Sequence, residues 1–159
     1  FVAKISDIPL ILVLDSIQDP RNLGACLRCA NAAGVDCVVV NKDGSAPINA
    51  TVHKTSAGAI NKLKIFQVTN LVRTIKSLQA QELWVIGLDG DVTTSIYDIN
   101  LRGPTVIVMG TEGKGLRQLI MKNCDQLVRI PMIGNVESLN VSVATGIALF
   151  EGRRQRQSN

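Results

Sequence analysis

The sequence predicts an α/β fold with a mostly parallel sheet flanked by helices, and three observations carry that reading. Short hydrophobic runs such as Leu10-Ile-Leu-Val-Leu14 and Thr105-Val-Ile-Val-Met109 recur along the chain, each running into a polar or Gly-rich turn. Between most of them lie longer stretches whose apolar residues fall at spacings of three and four, the repeat of a helix packed on one face. Hydrophobic residues make up 46% of the 159 positions and aromatics 3%, so the core is expected to be aliphatic. Alternating strands and helices of this kind build an α/β sheet.

The elements follow in order. A strand over 9–15 leads to Asp19-Pro20, a helix start, and a helix over 21–33. That helix places Leu23, Cys26, Leu27 and Ala30 on one face, with Arg28 off the stripe and Gly24 one turn before it, leaving room for a bulky group. A strand over 36–41 ends near the Asp43-Gly44 turn, and a helix over 48–58 and a strand over 63–68 come next. Asn70 opens a helix over 70–80, a strand over 83–88 reaches the Asp89-Gly90 turn, and a strand over 104–109 runs into Gly110-Thr-Glu-Gly-Lys-Gly115. A helix over 114–123, a strand over 127–131 and a helix over 140–154 complete the chain. The last helix is apolar nearly all round, through Val141, Val143, Ala144, Ile147, Ala148, Leu149 and Phe150, so its own domain together with a second subunit is expected to cover it. With no internal repeat, low-complexity tract or linker, one domain is expected.

Composition narrows the function. Seventeen Lys and Arg against thirteen Asp and Glu leave a net charge of +4, which favours a phosphate backbone without requiring one. Lys54, Lys62, Lys64, Arg73 and Lys76 in the middle, and Arg153, Arg154 and Arg156 at the end, read either as solvated faces or as an RNA track. No apolar run reaches the roughly 18 residues of a membrane span, and the first residues lack the layout of a signal peptide, so a soluble intracellular protein is expected. Cys26 and Cys29 have C-x-x-C spacing, but they fall within a predicted helix, Cys37 and Cys124 form no second pair, and His53 is distant. No metal is expected, and the thiols read as small buried side chains.

Three strand-to-helix junctions concentrate the polar residues: 15–22, 110–115 and 135–146. Parallel sheets place ligands at the carboxyl ends of their strands, so the three junctions are expected to meet in one site. The glycines of 110–115 read G-x-x-G-x-G, which matches neither the Rossmann spacing nor the P-loop, so NAD and ATP are disfavoured. Bare backbone there can approach a flat adenosine closely.

Asp19-Pro-Arg-Asn-Leu-Gly-Ala-Cys-Leu-Arg28, Val108-Met-Gly-Thr-Glu-Gly113, and Ile130-Pro-Met132 with Ser138-Leu-Asn-Val-Ser142 resemble the three ordered motifs of the SpoU/TrmH branch of the SPOUT methyltransferases. The resemblance covers nearly the whole chain. It implies a SPOUT-type sheet with a C-terminal deep trefoil knot, a cytoplasmic homodimer, and S-adenosylmethionine as methyl donor. The implied reaction is methylation of the 2′-hydroxyl of a guanosine ribose in large-subunit ribosomal RNA. A transfer RNA guanosine-2′-O-methyltransferase and a non-catalytic RNA-binding module are the alternatives. Because the chain opens on Phe1 rather than Met, the resemblance also implies an upstream RNA-binding domain that is missing from residues 1–159.

Carried onto this chain, the motifs imply a catalytic set of Arg28, Asn22, Glu112, Ser138 and Asn140. They imply a donor pocket of Gly110, Ile130 and Leu139, completed by Leu88, Met109, Met132 and Ser138. Arg28 would activate the ribose hydroxyl, as a base or as a cation beside the developing alkoxide. Residue by residue, plainer readings stand alongside: Asn22, Ser138 and Asn140 as helix caps, Glu112 as a loop acid, Arg28 as a surface cation, and Ile130, Leu139 and the methionines as core.

Overall fold

Every neighbouring pair of strands in the sheet runs parallel, in the order β3-β2-β1-β5-β4-β6. The strands are β1 (Leu10–Leu14), β2 (Cys37–Asn41), β3 (Ile65–Val68), β4 (Trp84–Leu88), β5 (Thr105–Met109) and β6 (Gln126–Val128). The computed structural model describes residues 8–111 and 113–157. Every residue of β1, β2 and β5 is buried, as a central parallel strand covered on both faces requires, and the unbroken Val, Ile and Leu runs supply side chains for both.

The period of two then sorts the core into layers. Leu10, Leu12, Leu14, Val38, Val40 and Ile107 face helices α1 (Pro20–Ala33), α2 (Ala50–Thr55) and α5 (Val141–Gln157). Ile11, Val13, Val39, Val106 and Val108 face α3 (Leu71–Ala80) and α4 (Gln118–Asn123). Caps set the helix starts: the Asp19 carboxylate accepts from the Arg21 N–H at 2.8 Å, and Asn49 and Asn70 cap α2 and α3 through Val52 and Arg73. Gly34, at φ 67°, ends α1 in the left-handed conformation that glycine adopts without steric cost.

All six strands and five helices fall where the sequence places them, with three differences. Helix α4 begins at Gln118 rather than 114, because Thr111 and Gly115 exchange backbone hydrogen bonds of 3.1 and 2.7 Å, and Gly113 and Gly115 take positive φ. The predicted strand 127–131 becomes β6 over Gln126–Val128, after which Arg129 pairs with Ser95 instead. The predicted helix 48–58 is a shorter α2, followed by a 3-10 turn at Ala59–Asn61.

Helix α5 is covered on one side only among the described residues. Val141, Thr145, Ala148 and Leu149 are buried, whereas Val143 and Phe150 are 50% and 49% exposed. Its final turns are polar and tie down the rest of the chain. The Leu101 N–H donates to Gln155 Oε1 at 2.7 Å, and the Arg156 guanidinium donates to the carbonyls of Ile8, Pro9, Leu101 and Gly103.

Gly24 does not open space beside Arg28, as the sequence suggests, but lets α2 press onto α1. A Cβ at Gly24 would lie 1.7 Å from Thr55 Oγ1 and 3.0 Å from the Val52 carbonyl. Gly24→Ala is therefore expected to cost roughly 1–3 kcal/mol of stability, as overpacking does. Chemical denaturation should show part of that loss recovered in Gly24→Ala/Thr55→Ala; a neutral single substitution would contradict this packing.

Candidate active site

A cleft of about 370 Å³ opens at the carboxyl ends of β4, β5 and β6. One wall is the turn after β4, from Leu88 through Asp89, Gly90 and Asp91. A second is the loop after β5, with Met109, Gly110, Thr111, Gly113, Lys114 and Gly115. The third follows β6, from Arg129, Ile130 and Met132 to Glu137, Ser138 and Leu139, closed by Val141 and Ala144 of α5.

The second wall is held at both ends. Gly110 has no room for a side chain, since a Cβ there would sit 2.3 Å from the Gly115 carbonyl carbon and oxygen. The bare backbone expected to serve a ligand is first required by the loop's own return. Beyond the return, Leu116 is buried against Gly87 of β4, where a Cβ would come within 2.8 Å of Leu116 Cδ1. Asp15, just past β1 and 1% exposed, then fixes Arg117. Its carboxylate accepts the Arg117 side-chain Nε–H at 2.7 Å and the backbone N–H at 3.1 Å, and its own N–H donates to the Met109 carbonyl at 2.8 Å.

All seven residues expected at the donor pocket line this one cleft: Leu88, Met109, Gly110, Ile130, Met132, Ser138 and Leu139. The five expected catalytic residues are placed differently. Ser138 is exposed at the cleft lip, and Glu112 lies outside the described residues. Asn140 caps α5, its Oδ1 accepting the Ser142 N–H at 2.9 Å, while its Nδ2 donates to Asn22 Oδ1 at 2.9 Å. Asn22 sits in the first turn of α1, which Asp19 caps, so its amide is left for Asn140. Arg28 is exposed on α1 and is not a lining residue, and among the described residues it makes no hydrogen bond or ion pair. The first junction thus stands beside the cleft, joined to it through the Asn22–Asn140 bond, rather than forming one of its walls.

The sequence reading missed the charged lining: Asp89, Asp91 and Glu137 against Lys114 and Arg129. Asp89-Gly90 read only as a turn, although a turn at the carboxyl end of a parallel strand is where ligands bind. Among the described residues no group of three or more His, Cys, Asp or Glu is gathered as metal ligands, and no helix is long and apolar enough to cross a membrane. Cys26 and Cys29 turn toward α5, where Cys26 Sγ lies 3.6 Å from Thr145 Oγ1 and Cys29 donates to the Ser142 carbonyl at 3.5 Å.

Residues 9–150 match the model of the SpoU rRNA Methylase family. The chain is 56% identical over 149 residues to the 23S rRNA (guanosine-2′-O-)-methyltransferase RlmB of Pseudomonas aeruginosa, covering 94% of this chain and 60% of that protein. It is also 56% identical over 148 residues to the protein of the same name from Vibrio parahaemolyticus, covering 93% and 60%. The chain therefore spans about three fifths of the length of the curated relatives it matches. Among solved structures, the SpoU methyltransferase AviRb from Streptomyces viridochromogenes in complex with AdoMet superposes with a TM-score of 0.91 at 26% identity, covering 98% of this chain and 64% of that one. A crystal structure of an RNA 2′-O ribose methyltransferase superposes at 0.87 with 33% identity, covering 96% and 58%.

Burial pushes the thiols of Cys26 and Cys124 up to about 12 and that of Cys37 to about 11, and raises Cys29 as well. Only the thiolate alkylates, and a raised pKa means that it appears only as pH climbs through that value. Iodoacetamide at pH 8 is expected to label all four cysteines far more slowly in the native protein than in urea, with Cys29, the least buried, leading. Rapid native labelling of Cys26, followed by mass spectrometry, would contradict this environment.

Proposed function

The chain belongs to the SpoU rRNA methylase family, and on that premise we propose that it methylates the 2′-hydroxyl of a guanosine ribose in 23S ribosomal RNA, with S-adenosylmethionine as donor. The observation that carries this reading is that the second and third family motifs, far apart in sequence, line one cleft of about 370 Å³ at the carboxyl edge of the sheet, and that the first motif is joined to the third through the Asn22–Asn140 hydrogen bond. The 56% identity to 23S rRNA guanosine methyltransferases favours ribosomal over transfer RNA.

The cleft suits the donor. Leu88, Ile130 and Leu139 offer apolar cover for an adenine, Gly110 and Gly113 bring bare backbone to the lining, and Asp89, Asp91 and Glu137 supply negative charge for a sulfonium. When bound, the donor brings a methyl group on a positively charged sulfur, an excellent leaving group for an in-line displacement. The protein's part is to position the ribose hydroxyl and to ease loss of its proton.

Arg28 takes that second task. A guanidinium stays protonated, so Arg28 acts as a cation that grips the adjacent phosphate and stabilises the developing alkoxide, the proton leaving through phosphate or water. Asn140 holds Asn22 beside the start of α5.

Dimerisation belongs to the same reading. Val143, Ile147 and Phe150 lie at spacings of four and three on the open side of α5, an apolar stripe that a second copy would cover. So does the trefoil knot, supported by the likeness to SpoU structures and by the way the end of α5 is tied to 8–9 and 99–103. Action on ribosomal RNA places the protein in the cytoplasm. A crystal structure is expected to show two copies joined through this stripe and α5 drawn through a loop of the chain. A solvent-facing stripe, or an α5 lying outside every loop, would remove the respective feature.

Arg28→Ala is expected to lower kcat/KM for methylation of ribosomal RNA by at least about 100-fold, with melting temperature and calorimetric donor affinity unchanged. Arg28→Lys should fail as well, since a point charge cannot reproduce the planar fork. Turnover like that of the unaltered protein in either variant would sink the role, and absence of donor binding in the unaltered protein would sink the proposed function.

A further inference from the structure

The acidic residues of this chain are unevenly spread. Residues 20–35 and 44–81 contain seven of the seventeen Lys and Arg and none of the thirteen Asp and Glu. The fold divides these segments between its two layers. Arg21 and Arg28 of α1, His53 and Lys54 of α2 and Lys62 after the 3-10 turn lie on the side of α5, whereas Arg73 and Lys76 of α3 lie on the other.

On the α5 side the cations come together. Arg21, Ala25, Arg28 and Ala32 fall at spacings of four, three and four, a single ridge of α1 whose Arg21 and Arg28 are exposed and about 10 Å apart along the axis. Helix α2 approaches the start of that ridge by its last turn, where Thr55 lies against Gly24 and its Oγ1 donates to the Pro20 carbonyl at 3.5 Å. This brings His53 and Lys54, both exposed, beside the first turn of α1. The same turn carries Asn22, bonded to Asn140, and so lies next to Ser138, Leu139 and Val141 of the cleft. Asp19, just ahead of this turn, has its carboxylate turned to the Arg21 backbone N–H.

We propose that the surface formed by the α1 ridge and the end of α2, segments that contain no Asp or Glu, centred on Arg21, Arg28 and Lys54, receives the phosphodiester backbone of the RNA and delivers the reacting ribose to the cleft. This rests on the proposed function and adds the path of the substrate. Phosphates held by exposed Lys and Arg release counterions, so each lost contact weakens binding for any RNA sequence and flattens its salt dependence by roughly 0.7–0.9 in the log–log slope.

The test compares Arg21→Gln/Lys54→Gln with Arg73→Gln/Lys76→Gln, a pair that removes the same charge from the opposite layer. Binding of transcribed 23S ribosomal RNA is followed by fluorescence anisotropy from 50 to 200 mM salt, roughly the range over which phosphate contacts dominate. The first pair is expected to flatten the slope by about 1.4–1.8 and weaken binding several-fold, with donor affinity and melting temperature unchanged, while the second leaves the slope within error. A slope indifferent to the first pair, or lowered equally by the second, would overturn the surface and leave the enzyme assignment standing. Failure of the unaltered protein to bind RNA would overturn both.

Discussion

Helix α1 packed along α5 is the contact on which the rest of the structure depends. It joins residues more than a hundred positions apart, through Asn22 and Asn140 at one end, Cys26 with Thr145 and Cys29 with Ser142 in the middle, and Arg153 to the Ala33 and Gly34 carbonyls at the other. Small side chains line the approach: Gly146 of α5 faces Cys29, whose sulfur would lie at an ordinary contact distance of 3.5 Å from a Cβ there. Each hydrogen bond contributes only about 1 kcal/mol, so the apolar seam of Leu23, Leu27, Ala148 and Leu149 has to bear most of the cost of closing so long a loop. Once that seam forms, the first motif stands beside the third, and the cleft gains its floor.

The cleft then has walls of unequal stiffness. The second loop is closed by the Thr111–Gly115 bridge, filled by Leu116 and tied to a buried Asp15, so moving it would expose a carboxylate and break its pairs with Arg117. The third loop is exposed at every position from 133 to 138, with little apolar burial to resist displacement. It is the wall that costs least to move, and so the natural side for a ligand to enter.

Stability and function also divide by layer. Helices α3 and α4 bury Leu71, Ile75, Leu78 and Ile120 against their face of the sheet and add no lining residue to the cleft. Helices α1 and α5 bury an equally apolar stripe yet also carry Asn22, Arg28 and the capping Asn140. The C-x-x-C cysteines, Cys26 buried and Cys29 half-buried, serve packing between those two helices, where desolvation raises both thiols.

Much of this was legible in the sequence, because strands buried on both faces must be apolar throughout and helices on a sheet must repeat their apolar residues at three and four. Those local rules place β1 to β6 and α1, α3 and α5 to within a few residues, and the pocket residues 88, 109, 110, 130 and 132 fall at or just past strand ends, where parallel sheets bind ligands. Local rules stop where the neighbour is distant in the chain. That β5 slots between β1 and β4, that Gly24 answers to Thr55, and that Gly110 answers to Gly115 are matters of contact. The same holds for Asp89, Asp91 and Glu137: each is an ordinary loop acid by itself, and only the closing of the sheet turns all three toward one cleft.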